Sequence, residues 1–156
     1  MTKSIPSGFN SLTPHIVVTD GAAALEFYKQ AFGAQETMRL MTPDGKNVMH
    51  AQMTIGNSML MLGCELPPHC LAPKNRGGTS VFLHLYLEDA DAAFDRAVKA
   101  GCTVMMPVSD TFWGDRYGVV VDPSGHQWSL ATHKQDLTHD QLVANARAFR
   151  AKMEDK

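Results

Sequence analysis

Long apolar runs, an excess of one charge and a cysteine framework are all missing from this chain of 156 residues. No stretch approaches the roughly 18 apolar residues of a membrane helix. The first fifteen residues, MTKSIPSGFNSLTPH, contain no apolar block of the kind that marks a secretion signal. These absences predict a cytoplasmic protein with no membrane partner. A net charge of −2 with the signs interspersed leaves no basic stripe, which excludes nucleic acid as an expected partner. The three cysteines, Cys64, Cys70 and Cys102, are odd in number and lack framework spacing, as suits free thiols in a reducing compartment. The segment CELPPHC brings Cys64, His69 and Cys70 close in sequence, but two prolines and only three soft donors make a poor zinc site. What is present is a globular composition, 44% hydrophobic and 19% charged. A single domain over residues 1–156 of this length can bury about 70% of the surface its unfolded chain exposes.

A repeat organises the chain. HIVVTDGAAALEFYKQAFGA from His15 and HLYLEDADAAFDRAVKAGCT from His84 each run an aliphatic strand into a helix-capping Asp, then into an Ala-rich helix closed by Gly. The offset is 69 residues, and the same offset carries Gly56 onto Gly125. After each helix come three alternating apolar stretches separated by turns, at Pro43-Asp44-Gly45 and Gly56-Asn57 in the first unit and at Asp122-Pro123-Ser124-Gly125 in the second. Each unit therefore reads β-α-β-β-β. The predicted boundaries are 11–64 for the first module, 65–78 for a Pro- and Gly-rich linker, and 79–133 for the second module. A further helix over 138–153 starts with a Thr138/Gln141 capping box and carries Leu142, Ala146, Phe149 and Met153 at helical spacing.

This tandem plan, with FYKQAFGA in the first helix and a DPSG turn before the last strand, resembles the vicinal oxygen chelate superfamily. That group includes glyoxalase I, bleomycin-resistance proteins and extradiol dioxygenases. PHIVV, HAQMTIGNSMLML and WGDRYGVVVDPSGHQWSLATH are similar to its PhnB-like branch. The methyltransferase label common in that branch finds no support, because no Gly-rich loop follows a strand. The resemblance implies an α+β fold whose two βαβββ modules form a curved, open mixed sheet around a cavity. It also implies a homodimer, and exposed sheet edges would need such cover.

Where members of the superfamily hold a metal, its ligands come from the first and last strands of each module. Carried onto this chain, the four positions are Thr13, Leu60, Phe82 and Ser129. None is the His, Glu or Asp that a divalent ion wants. Glyoxalase I chemistry needs a metal and a proton-moving Glu, and neither stands where the family keeps it. His15 and His84 lie two residues beyond a ligand position on the same strand face. They are read as pocket-lining residues or, alternatively, as part of a displaced site for zinc, nickel, manganese or iron completed by His50 or water.

Alternation places Ser80, Phe82, His84 and Tyr86 on the cavity face, together with Gln127, Ser129, Ala131 and His133, with Trp128 and Leu130 behind them. In the first module Thr13, His15 and Val17 face inward, Leu60 and Leu62 stand beside them, and His50 could face either way. Ten methionines suit a deformable lining or plain core filling. Phe112 and Trp113 could stack on a planar ligand and Arg116 could pair with its acid group; alternatively Asp115 and Arg116 form an ion pair and the aromatics fill a dimer contact. His126, beside a turn, ranks lower. The ligand-binding set is thus His15, His50, Phe82, His84, Tyr86, Trp113, Arg116, Gln127 and Ser129, with no catalytic residue assigned. The expected function is metal-independent binding of a small molecule, in the manner of drug sequestration. The alternative is a metal-dependent lyase, isomerase or dioxygenase using His15 and His84; a regulatory domain would show a filled cavity.

Overall fold

The computed structural model describes residues 3–154. The first module holds β1 (His15–Val18), α1 (Gly21–Phe32), β2 (Gln35–Met41), β3 (Val48–Ile55) and β4 (Ser58–Cys64). A short helix α2 (Pro73–Arg76) leads to the second module, β5 (Phe82–Tyr86), α3 (Ala90–Ala100), β6 (Thr103–Asp110), β7 (Asp115–Val121) and β8 (Gln127–His133). Helix α4 (His139–Glu154) follows. The strands form two mixed four-stranded sheets of identical plan, ordered β1-β4-β3-β2 and β5-β8-β7-β6, with the first and last strands of each module parallel. This is the α+β architecture expected from the repeat.

The helices begin and end where the sequence places them. Asp20 Oδ1 accepts from the Ala23 N–H at 3.0 Å and Asp89 Oδ1 from the Ala92 N–H at 2.9 Å, satisfying one orphan donor in each first turn. Gly33 closes α1 in the left-handed region at φ 68°, where a side chain would be strained. At the last helix the capping box forms in both directions, Thr138 N–H to Gln141 Oε1 at 2.8 Å and Gln141 N–H to Thr138 Oγ1 at 3.3 Å.

Helices α1 and α3 pack on each other across the modules, and each lies on the inner face of a sheet. Tyr28 and Phe32 of α1 meet Trp128, whose ring centroid is 4.5 Å from that of Phe32, and Leu25 of α1 with Phe94 and Ala97 of α3 belong to the same buried cluster. Burial of this kind is what holds the modules together; removing a large aromatic from such a core costs about 3–5 kcal/mol. The seam is also hydrogen-bonded: Tyr28 donates to Asp122 Oδ2 at 2.7 Å, Arg96 Nε donates to the Ala31 carbonyl at 2.9 Å, and Thr19 N–H donates to Ser124 Oγ at 3.1 Å.

One expectation needs correction. Helix α3 is one residue shorter than α1, 11 against 12, and the repeat offset falls from 69 at the first strands, β1 and β5, to 68 at the last strands, β4 and β8. Leu60, opposite Met53, then matches Trp128, opposite Val120, and Met61 rather than Leu60 matches Ser129. Leu60 and Leu62 accordingly face the helices as buried core, with Leu60 also at the wall of the cleft that His84 lines. The linker is braced against both modules. Glu65 accepts from the Ala72 N–H at 2.7 Å and from Asn75 Nδ2 at 2.9 Å, and the Lys74 N–H donates to the Ser124 carbonyl at 2.9 Å. Gly125 is required by this packing, since a Cβ there would lie 2.6 Å from Lys74 N. Gly56, its partner by the 69-residue offset, has open space around it and serves the tight β3–β4 turn at φ 56°.

Candidate functional site

The outer face of the second sheet carries a connected polar and aromatic surface. Phe82, His84 and Tyr86 alternate with Leu83 and Leu85, which pack against the core. The parallel ladder sets His84 beside Ser129 and Phe82 beside Gln127, and His84 Nδ1 and Ser129 Oγ share a hydrogen bond of 2.8 Å. The His84 ring stands edge-on to Tyr86 at 4.6 Å and is stacked with Tyr117 at 6.0 Å, and Tyr117 meets Trp113 edge-on at 5.3 Å.

Asp115 anchors this surface. Its side chain is 3% exposed, and it accepts from Tyr86 Oη at 3.2 Å, Trp113 Nε1 at 3.1 Å and His133 Nδ1 at 2.9 Å. His133 also donates through Nε2 to Asp136 at 3.0 Å. With both ring nitrogens donating to carboxylates, first Asp136 and then Asp115, the imidazolium is favoured and the His133 pKa rises. Partial desolvation of its hydroxyl, followed by the hydrogen bond to Asp115, raises the Tyr86 pKa. The sequence named Asp115 only as half of an ion pair. Its hub role was readable solely through a Tyr, a Trp and a His dispersed over residues 86 to 133, and nothing in the chain order joins them.

On the first module, His15 and His50 meet edge-on at 5.4 Å, and Gln52 Nε2 lies 3.4 Å from His50 Nε2. His50 therefore faces the open side of the sheet with His15. Burial, and then the neighbouring His50, lower the His15 pKa. His15 lines a cleft of about 430 Å³ and His84 a separate one of about 240 Å³.

The family's metal does not fit the residues present. Thr13 precedes β1 and its hydroxyl donates to the Asn10 carbonyl at 2.9 Å; Leu60 is in the core; Phe82 offers only hydrocarbon; Ser129 is engaged with His84. Among the described residues no three His, Cys, Asp or Glu side chains converge as donors, so His15, His84 and His50 do not form a displaced set within the chain.

The segment before β7 differs from its reading in sequence. Arg116 does not pair with Asp115; its guanidinium grips Asp91 at 2.8 and 2.9 Å and reaches Asp110 at 3.4 Å. Those partners hold β7 to α3 and leave Arg116 engaged rather than poised for a ligand. Phe112 packs against Phe149 of α4 at 5.3 Å, and Asn145 donates to its carbonyl at 3.0 Å, so α4 covers it within the same chain. Trp113 stays with the sheet-face cluster at 37% exposure. The Gln127 side chain makes no hydrogen bond among the described residues, and Ala131 is buried between the Tyr86 and Tyr117 rungs of the ladder.

Comparison with known proteins matches this architecture. The model of the Glyoxalase/Bleomycin resistance protein/Dioxygenase superfamily matches residues 8–130. An uncharacterized protein of Mycobacterium tuberculosis strain H37Rv is 44% identical over 138 residues, covering 86% of this chain and 81% of its own. An Arabidopsis thaliana protein is 31% identical over 125 residues, 75% of this chain and 74% of its own. Its X-ray structure aligns at a TM-score of 0.64 with 28% identity, covering 79% of this chain and 98% of that one. The PhnB protein of Bacillus cereus shares the fold, with a TM-score of 0.58 and 19% identity over 79% of this chain and 99% of its own. No helix among the described residues is long and apolar enough to cross a membrane. Two βαβββ modules in tandem, with their helices packed together and their sheets open on the other side, make this chain a member of the glyoxalase/bleomycin resistance protein/dioxygenase superfamily.

Proposed function

We propose that the chain binds a planar, largely apolar small molecule on the outer face of the second sheet, without a metal, and holds it rather than transforming it. The observation that carries this reading is the run of rings through Tyr86, His84, Tyr117 and Trp113, with Phe82, Tyr86 and Trp113 exposed by 47%, 64% and 37%. A monomer gains nothing from leaving such rings in water, whereas a flat ligand laid across them gains area and ring contacts together. Ser129, His84 and the Asp115 network supply a few fixed polar groups behind the rings, as binding sites of this kind require. The PhnB-like segments of the sequence agree with a place in that branch. The free thiols Cys64, Cys70 and Cys102 accord with a cytoplasmic setting.

A homodimer belongs to the same proposal. Met38, Leu40 and Met41 on the edge strand β2, and Val104, Met105 and Met106 on the edge strand β6, are exposed apolar residues beside unpaired strand edges. A second copy covering them would remove both liabilities.

Fluorescence separates the site from the core, because Trp113 is part-exposed while Trp128 is buried. Titration with a panel of planar bicyclic heteroaromatics should give saturable quenching that disappears in Trp113→Phe. Silence across the panel would sink the proposal.

A further inference from the structure

We infer that the cleft between β1 and the linker helix α2 is a second binding site, built for a small organic carboxylate with an apolar body. It is distinct from the ring surface of the second sheet and stands whether or not that surface binds a ligand. The cleft encloses about 430 Å³, within the range of small-molecule sites. Its polar lining is cationic or neutral: Arg76, His15 and His126, with Thr79 and Ser80. No Asp or Glu lines it, and among the described residues Arg76 makes no ion pair. Ile16, Leu71, Val81 and Leu83 supply the apolar remainder.

The walls are held firmly. Glu65 fastens one end of α2 to the first module and Ser124 fastens it to the second, while the Gly78 N–H turns back to the Pro73 carbonyl at 2.8 Å. Arg76 is therefore presented from a braced segment, which lowers the ordering cost of binding. His126 also lines the cleft and donates through Nε2 to the Val17 carbonyl at 2.8 Å, which fixes the ring. One guanidinium matches one carboxylate in two parallel hydrogen bonds. A phosphate monoester carries close to two charges, and a single permanent cation would leave it undercompensated. Charge count thus favours the carboxylate, and the aliphatic lining favours a hydrocarbon body behind it.

The test uses the full chain and four probes: benzoate, phenylacetate, phenyl phosphate and neutral benzamide, followed by ¹H–¹⁵N correlation spectra and titration calorimetry. The two carboxylates should shift the amides of Gly78, Thr79 and Val81 saturably, and benzamide should bind at least about tenfold more weakly. Arg76→Ala should weaken benzoate about tenfold or more, Arg76→Lys less, and Ser80→Glu should abolish binding by setting a carboxylate in the cleft. Arg76 and Ser80 are exposed, so these variants should keep the wild-type spectrum elsewhere. Equal affinity for benzoate and benzamide, or an Arg76→Ala chain that binds like wild type, overturns the site. Tighter binding of phenyl phosphate overturns the assignment to carboxylates. Shifts confined to His84 and Tyr117 would place the acid on the ring surface and overturn the cleft.

Discussion

Asp122 and Asp115 are two buried aspartates with nearly the same partners, and they do opposite things. Each accepts from a tyrosine hydroxyl and a tryptophan indole: Tyr28 and Trp128 for Asp122, Tyr86 and Trp113 for Asp115. Around Asp122 the partners are interior. Oδ1 also takes the N–H groups of Ser124 and His126, and the tyrosine comes from the other module, so the carboxylate ties the turn to the helix layer. Around Asp115 the tyrosine, tryptophan and histidine all reach solvent, so the same chemistry positions a surface. The role of a buried carboxylate is decided by where its donors end, not by which donors they are.

The largest test of this difference is stability. Asp122→Ala strands a buried indole and a buried phenol and should cost about 3–5 kcal/mol in urea unfolding. Asp115→Ala, whose partners can turn to water, should cost about 1–3 kcal/mol while red-shifting the emission of Trp113. A reversed order would erase the distinction between lock and platform.

A second test is titration. The His133 pKa is raised, so its contribution to stability is present below the unfolded value near 6.5 and fades as pH climbs through the folded value. The His15 pKa is lowered, so the sign inverts: its contribution is present above the unfolded value near 6.5 and is lost as pH falls through the lowered folded value, where the ring must charge in a partly desolvated site. Histidine chemical shifts should show His133 titrating above and His15 below that value, and Asp136→Asn should bring His133 back toward it. The smallest effect belongs to Arg116→Ala. Its partners Asp91 and Asp110 are exposed, so unfolding should change little, and the Trp113 quenching by planar probes should persist. A large loss of quenching would return Arg116 to the ligand site.

The fold was legible because its signals are local. Capping aspartates, a closing glycine and alternating strands each act over a few residues, and the repeat doubled every signal. Register was harder, since the one residue missing from α3 shifts the partner of Ser129 from Leu60 to Met61 and turns a supposed cavity residue into core. His84, Tyr86 and Ser129 could be placed on one face by alternation alone. Asp115 as a hub, Phe112 under Phe149 and the ordering of the linker could not, because each depends on contacts between segments that no periodicity connects.

The clamped connector has a consequence for assembly. Trading modules between two chains would require α2 to release Glu65 on one side and Ser124 on the other, and the hinge would have to open at Gly77 and Gly78. An unclamped tether of similar length would let either module find a partner in another copy at small entropic cost. Here the clamps brace the linker against both modules of one molecule, and the cleft beside Arg76 takes its walls from a single polypeptide.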